Sequence, residues 1–285
     1  MSYNRDEFLM WMYNERYRRA TIDDYDRRLR RIFQQIDLNN ISKTDLTLWL
    51  MDQEMQRGKV ALNHDIKAIN AYMRFLGKDI KLKTWATRSV REIYIPSEED
   101  MEFILNFKWP NPGITRRNQL IVRYAFLALR RSEIANLNVG DVNERWISIR
   151  DSKMNVSRKI PMPKEVWKLT YDYIKYYRIP SDKYALFTTS QGRIHIKTIG
   201  TIFWTIAKAL GKPLHPHSCR HWRAVDLYLK GVDLEAIRQY LGHAKLSTTQ
   251  IYLKSLLSSI TLSQIYEKDN LFGGYDVETH EIKEK

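Results

Sequence analysis

Apolar residues along the first 80 positions recur at steps of three and four, the spacing that lines one face of an α-helix. Ile22, Tyr25, Leu29, Ile32, Phe33 and Ile36 follow Thr21, whose hydroxyl suits an N-cap, while Asp23 and Asp24 suit the positive end of the helix dipole. Ser42 opens a second run to about Gln56, and Leu62, Ile66, Ile69, Met73 and Leu76 trace another that Gly77 stops. With an opening helix near residues 5–18, the pattern predicts four helices around one core over residues 1–80. From residue 78 to Pro96 the periodicity fails in a basic stretch ending in proline, which reads as a linker over residues 81–96.

Beyond the linker the pattern is mixed. Helices are predicted over residues 97–107, 115–129, 132–137, 164–177, 198–210, 217–230, 234–241 and 247–253. Residues 146–150 and 158–162 alternate and are β-rich, with a polar turn between them, and residues 185–188 suit a third strand. The expected fold class is mainly α with a small antiparallel β-sheet: a four-helix domain, then a mixed α+β domain over residues 97–265, then a tail over residues 266–285.

A length of 285 residues with 44% hydrophobic content supplies a core for each of two domains. The single cysteine, Cys219, excludes an intrachain disulfide framework and a Cys-rich zinc site, which favours a reducing compartment. No run reaches the roughly 18 apolar residues of a membrane span, so the expectation is a soluble, cytoplasmic protein with no membrane partner. Lys and Arg number 47 against 33 Asp and Glu, a net charge of +14. It divides as +6 over residues 1–91, +11 over residues 92–265 and −3 in the tail. Such a surplus favours a polyanion, because neutralising phosphates releases their counterions; a merely basic surface is the blander reading.

Four segments carry polar groups that core packing does not call for. The first is Leu129-Arg130-Arg131-Ser132-Glu133-Ile134, whose arginines are placed at the end of an apolar helix. The second is the hairpin Ser152-Lys153-Met154-Asn155-Val156-Ser157-Arg158-Lys159-Ile160-Pro161. The third is His215-Pro216-His217-Ser218-Cys219-Arg220-His221, in which His217 and Arg220 lie at i and i+3 near a helix N-terminus, a favourable place for an anion. Its alternating His215, His217, Cys219 and His221 would suit a metal on a strand, but the helical residues 224–231 that follow predict a helix that scatters them. The fourth is Leu241-Gly242-His243, nine residues ahead of Tyr252.

In order and spacing these segments resemble the tyrosine recombinase (integrase) family, and Xer-type members in particular, over nearly the whole chain. The first segment resembles the family's initial arginine motif, and the hairpin aligns without gaps to Gly-Lys-Gly-x-Lys-x-Arg-x-x-Pro. The third resembles the His-x-x-Arg-His box. Ser152 and Met154 stand where glycines are usual and Val156 where a second lysine is usual, while Arg131 and Cys219 occupy positions more often hydrophobic.

The resemblance implies a helical core-binding domain followed by a catalytic domain that cuts and rejoins DNA through a 3′-phosphotyrosyl intermediate. Tyr252 is then the nucleophile, Arg130 and Arg220 stabilise the phosphate, and Lys153, with Lys159 as its rival, protonates the leaving 5′-oxygen. His217 accepts the tyrosine proton, His243 hydrogen-bonds the phosphate, and Glu133 orients Arg130 or His217. No cofactor or metal is implied. The implied partners are double-stranded DNA carrying a specific recombination site and further copies of the chain, as a tetramer. A compact chain favours Xer-like resolution of circular DNA dimers. The alternatives are a mobile-element or viral integrase, a type IB topoisomerase-like enzyme that relaxes plasmids lacking a special site, and a DNA-binding protein that forms no covalent adduct.

Overall fold

A computed structural model of the chain describes residues 3–86, 94–150, 157–247, 249–250 and 253; Lys153 and Tyr252 lie outside the described residues. It divides at residues 90 and 91 into two compact units, each with its own core. The mostly helical architecture with small antiparallel sheets is the one the hydrophobic pattern predicts.

The first unit contains α1 (Arg5–Asn14), α2 (Arg19–Ile32), α3 (Lys43–Gln56) and α4 (Lys59–Phe75). Ser42 caps α3 by accepting the Asp45 amide at 3.1 Å. Thr21, expected as a cap, lies inside α2, which begins two residues earlier at Arg19. Phe8, Met12, Leu29, Ile32, Leu46, Ile66, Ile69 and Tyr72 are completely buried. Tyr72 meets Phe8 and Phe33 edge to face, at 5.2 and 5.3 Å between ring centroids.

This unit continues past residue 80, into the stretch assigned to the linker. Asn70 on α4 exchanges two hydrogen bonds with the backbone of Leu82, donating to its carbonyl and accepting from its amide, both at 2.9 Å. Asn63, two turns earlier, holds Trp85 in the same way at 2.9 and 2.8 Å. Two carboxamides on one helix face thus strap an extended segment along α4, and Leu82 and Trp85 join the apolar core.

The second unit holds α5 (Glu98–Asn106), α6 (Pro112–Phe126), α7 (Arg131–Asn136), β1 (Trp146–Ile149), β2 (Arg158–Pro161), α8 (Lys164–Asp172), β3 (Thr188–Thr189), β4 (Gly192–Arg193), α9 (Ile196–Leu210), α10 (Pro216–Leu229) and α11 (Leu234–Leu241). Residues 246, 247, 249, 250 and 253 are also helical. Helix α6 is central: Leu120, Ile121, Val122, Tyr124 and Ala125 are all buried, and α6 packs on α5, α8, α9 and α10.

Strands β1 and β2 pair antiparallel in the register Trp146↔Pro161 to Ile149↔Arg158. Alternation turns Ile147, Ile149 and Ile160 into the core and leaves Lys159 exposed. The third strand forms later than expected, at Thr188–Thr189, in a separate sheet with Gly192–Arg193. Ala185, Leu186 and Phe187 are completely buried, and Ala185 forms an isolated antiparallel bridge with Asn138, closed by the Leu186 amide donating to the Leu137 carbonyl and the Val139 amide to the Tyr184 carbonyl, both at 2.8 Å. Helix α8 gives way to a π-helical turn, Tyr173–Tyr177, within the single helix expected there.

Candidate active site

Three arginines from separate elements converge on the last turn of α11. Arg158 of β2 donates through Nε to the Tyr240 carbonyl at 2.9 Å, Arg220 of α10 donates to the Leu241 carbonyl, and Arg130 donates through Nη2 to the Gly242 carbonyl at 2.7 Å. A helix ends with unsatisfied carbonyls and a partial negative charge, so three consecutive oxygens there form a natural seat for guanidiniums. Gly242 makes the seat possible. Its φ of +64° terminates the helix in the left-handed region, and a Cβ on it would lie 2.8 Å from Arg158 Nη1.

Arg130 sits at the N-cap of α7 in extended backbone, after α6 has ended at Phe126, and not in the last turn of an apolar helix as its sequence suggested. Between them Ala128 adopts φ +65°, unusual for a residue with a side chain, and its carbonyl accepts from Arg220 Nη1. Arg220 is only 2% exposed.

Glu133 ties this arrangement together. Its carboxylate accepts from Arg130 Nη1 and from the Arg130 amide, both at 2.7 Å, and takes both Nη groups of Arg158 at 2.9 Å in a bidentate pair. Burial by itself would raise the Glu133 carboxyl, but the hydrogen bonds and charge of Arg158, with the amide and charge of Arg130, outweigh it and hold the pKa at about 2. Glu133 is therefore ionised at neutral pH, and three guanidiniums with one carboxylate leave the site positive.

Burial, reinforced by that field, keeps the histidines around the site neutral. Desolvation, then the charges of Arg220, Arg130 and Arg158, lower His243 to about 3. His221 falls to about 4, from desolvation and then the neighbouring His217, His215 and Arg220. His217 is exposed at the N-terminal turn of α10, yet the protein mass around it and the charges of Arg220, His215, Arg131 and Arg130 also lower its pKa. A neutral imidazole can accept a proton, which suits His217 to a base. His215 caps α10, its Nδ1 accepting the Ser218 amide at 3.1 Å. The helix scatters the third segment's side chains, with His217 exposed and Cys219 completely buried, and among the described residues no group of three His, Cys, Asp or Glu is gathered to hold a metal.

The structure thus brings Arg130, Glu133 and Arg220 to one seat next to His243, with His217 one helical turn before Arg220. Lys159, the alternative to Lys153, lies on the exposed face of β2, opposite the face that carries Arg158 into the site. Two contributors were given no role from the sequence. Arg158 has a side chain only 7% exposed; the signals were its place at the arginine of the hairpin motif and its alternation class, shared with core Ile160. Thr249 is completely buried and lies 3.0 Å from His243 Nδ1 through its hydroxyl; a threonine in a polar Ser-Thr-Thr run gave no signal of it.

Fixed guanidinium donors, an ionised carboxylate and neutral imidazoles, carried on a mostly helical domain, are groups that can stabilise an oxyanion and accept a proton. Residues 97–258 match the phage integrase family, and the chain belongs to that family as a tyrosine recombinase. The tyrosine recombinase XerA of Pyrococcus furiosus is 29% identical over 227 residues, covering 75% of this chain and 77% of that protein. The tyrosine recombinase XerC of Proteus mirabilis is 25% identical over 273 residues, covering 87% of each. Among solved structures, the Tn1549 transposon integrase in complex with transposon right end DNA shares the fold, with a TM-score of 0.66 and 18% identity over 91% of this chain and 99% of that one.

Proposed function

We propose that this chain cuts and rejoins double-stranded DNA at a specific recombination site, with Tyr252 as nucleophile, and that it resolves circular DNA dimers as Xer-type enzymes do. The observation that carries the chemistry is the seating of Arg130 and Arg220 on adjacent carbonyls of one helix end, beside His243. Two guanidinium forks fixed this way match the non-bridging oxygens of one phosphodiester and stabilise the charge that builds when phosphorus becomes pentacoordinate. The Tyr252 oxygen bonds to phosphorus as the bond to the 5′-oxygen breaks. His217 takes the phenolic proton and Lys153 supplies a proton to the departing oxygen. A 5′-hydroxyl from a partner duplex then reverses the step and joins the new strand, so that the bond energy is conserved.

Glu133 and Arg158 act by positioning. The Xer-type role is supported by named relatives that span three-quarters or more of the chain. Its working form is a tetramer on two DNA sites in the cytoplasm.

Nicked suicide substrates test this reading, since loss of the short strand traps the covalent intermediate. In EDTA the wild type is expected to form a protein–DNA adduct and Tyr252→Phe none. An adduct that persists in the Phe variant removes Tyr252 as nucleophile. Arg130→Ala and Arg220→Ala are expected to bind DNA near normally and to lose cleavage by about 10²–10³-fold each. Trapping on a library of genomic fragments separates the roles: one recovered chromosomal site supports dimer resolution, and recovery of element ends assigns the chain to integration.

A further inference from the structure

Asp65 on α4 is completely buried and is surrounded by three arginines. Arg28 Nη1 reaches Oδ1 at 2.8 Å, while Arg31 Nη2 and Arg57 Nη1 both reach Oδ2 at 2.6 Å. Arg28 and Arg31 come from α2, and Arg57 from the C-cap of α3. Asp24 adds a second carboxylate that accepts Arg28 Nε at 2.8 Å and also pairs with Arg27. The cluster therefore gathers four guanidiniums on two carboxylates.

Neutralising a buried aspartate takes one or two guanidiniums, and a third brings like charges together around a single oxygen at a Coulombic cost. The exposure is graded: the side chain of Arg28 is 18% exposed, that of Arg57 25% and that of Arg31 42%, while Asp65 is sealed beneath them. Arg31 and Arg57 each donate to the carboxylate through one terminal nitrogen, and the fork geometry of a guanidinium leaves its other edge directed away from that bond. The carboxylate thus fixes the rotamers of long side chains before any ligand arrives, removing much of the ordering cost of binding.

We propose that Arg28, Arg31 and Arg57, held by Asp65, form a preorganised site for a DNA backbone phosphate on the first unit. This rests on the recombinase reading, since it takes DNA as the partner. A phosphodiester on the outer edges of Arg31 and Arg57 supplies the anion that the cluster's surplus charge calls for. The contact reads no base, so it fixes register on the duplex without selecting sequence.

The test is binding of the full chain to a mixed-sequence DNA duplex across a salt series. Arg31→Gln and Arg57→Gln are each expected to reduce the slope of log affinity against log salt by nearly one, and the double variant by nearly two. Arg19→Gln removes the same charge from the same helix but outside the cluster, where Arg19 is 88% exposed beside Asp23, and is expected to leave the slope unchanged. Arg31→Lys keeps the charge, so it should keep most of the slope even where the fold is weakened. A slope unchanged in the Gln variants, with a lowered melting temperature, makes the cluster a structural tie and overturns the proposal. An equal fall in Arg19→Gln also overturns it, because diffuse charge then suffices. In either case an intact Tyr252 adduct leaves the recombinase reading standing; a wild type that binds no duplex and forms no adduct removes both.

Discussion

Arg158 spends its whole guanidinium inside the protein, on both oxygens of Glu133 and on the Tyr240 carbonyl. A buried ion pair of this kind costs most when it is half removed, because the surviving charge stays desolvated. Arg158→Met is therefore expected to destabilise the second unit by about 3–5 kcal/mol in denaturant unfolding. Combining it with Glu133→Gln should recover a large part of that loss, and a double-mutant cycle measures the coupling. Adduct formation separates positioning from simple stability: Arg158→Lys, which keeps charge without the fork, should cleave more slowly at saturating DNA while binding it normally, and a change confined to binding would remove the positioning role. At this scale the sequence showed chemical type better than environment. Arg130 and Arg220 stood out because motif and spacing mark them, whereas the inward direction of Arg158 depends on the pairing register of β2, and Thr249 becomes notable only when His243 lies 3.0 Å away.

Among the elements, helices were legible where apolar periodicity and caps agree, as at Ser42 and at Leu234–Leu241. Extended segments were less so. The strap along α4 reads as linker because its order comes from two asparagines 12 and 22 residues away, a tie that no local pattern announces. Asn70→Ala removes both hydrogen bonds to Leu82 and is expected to cost about 1–3 kcal/mol. In a unit this small, each kcal/mol lowers the melting temperature by about 4–8 °C. An unchanged melting temperature would mean that the strap adds no net stability. The end of α11 carries a sharper constraint. Gly242→Ala pays about 1–2 kcal/mol for the left-handed backbone and forces Arg158 away from a Cβ 2.8 Å from its Nη1. It should thus slow cleavage as well as lower stability, and a variant that only melts earlier would show that the arginine seat tolerates the displacement.

Across the whole molecule, the net charge of +14 has two consequences that differ between the units. In the first, arginines are drawn to buried aspartates, Asp26 and Asp65. In the second, burial lowers the pKa of His215, His217, His221 and His243, and the arginines gathered near one helix end add to the effect at His217, His221 and His243; among the described residues, every histidine with a lowered pKa belongs to that unit. An unfolded histidine titrates near 6.5, so between that value and the folded pKa the unfolded chain binds more protons than the native one. Stability is then complete above about pH 6.5 and falls as pH drops towards 4. His243, at about 3, and His221, at about 4, each withdraw roughly 2 kcal/mol by pH 5, at about 1.4 kcal/mol per pH unit. Glu133, held at about 2, adds its own loss only below about pH 4.5. Calorimetry of the intact chain from pH 7.5 to 5 is expected to show the melting of the second unit moving down while that of the first holds, with Asn70→Ala identifying the first transition. Parallel movement of both would mean that burial and the arginine charges do not hold these imidazoles neutral, and the case for His217 as a base would fall with it.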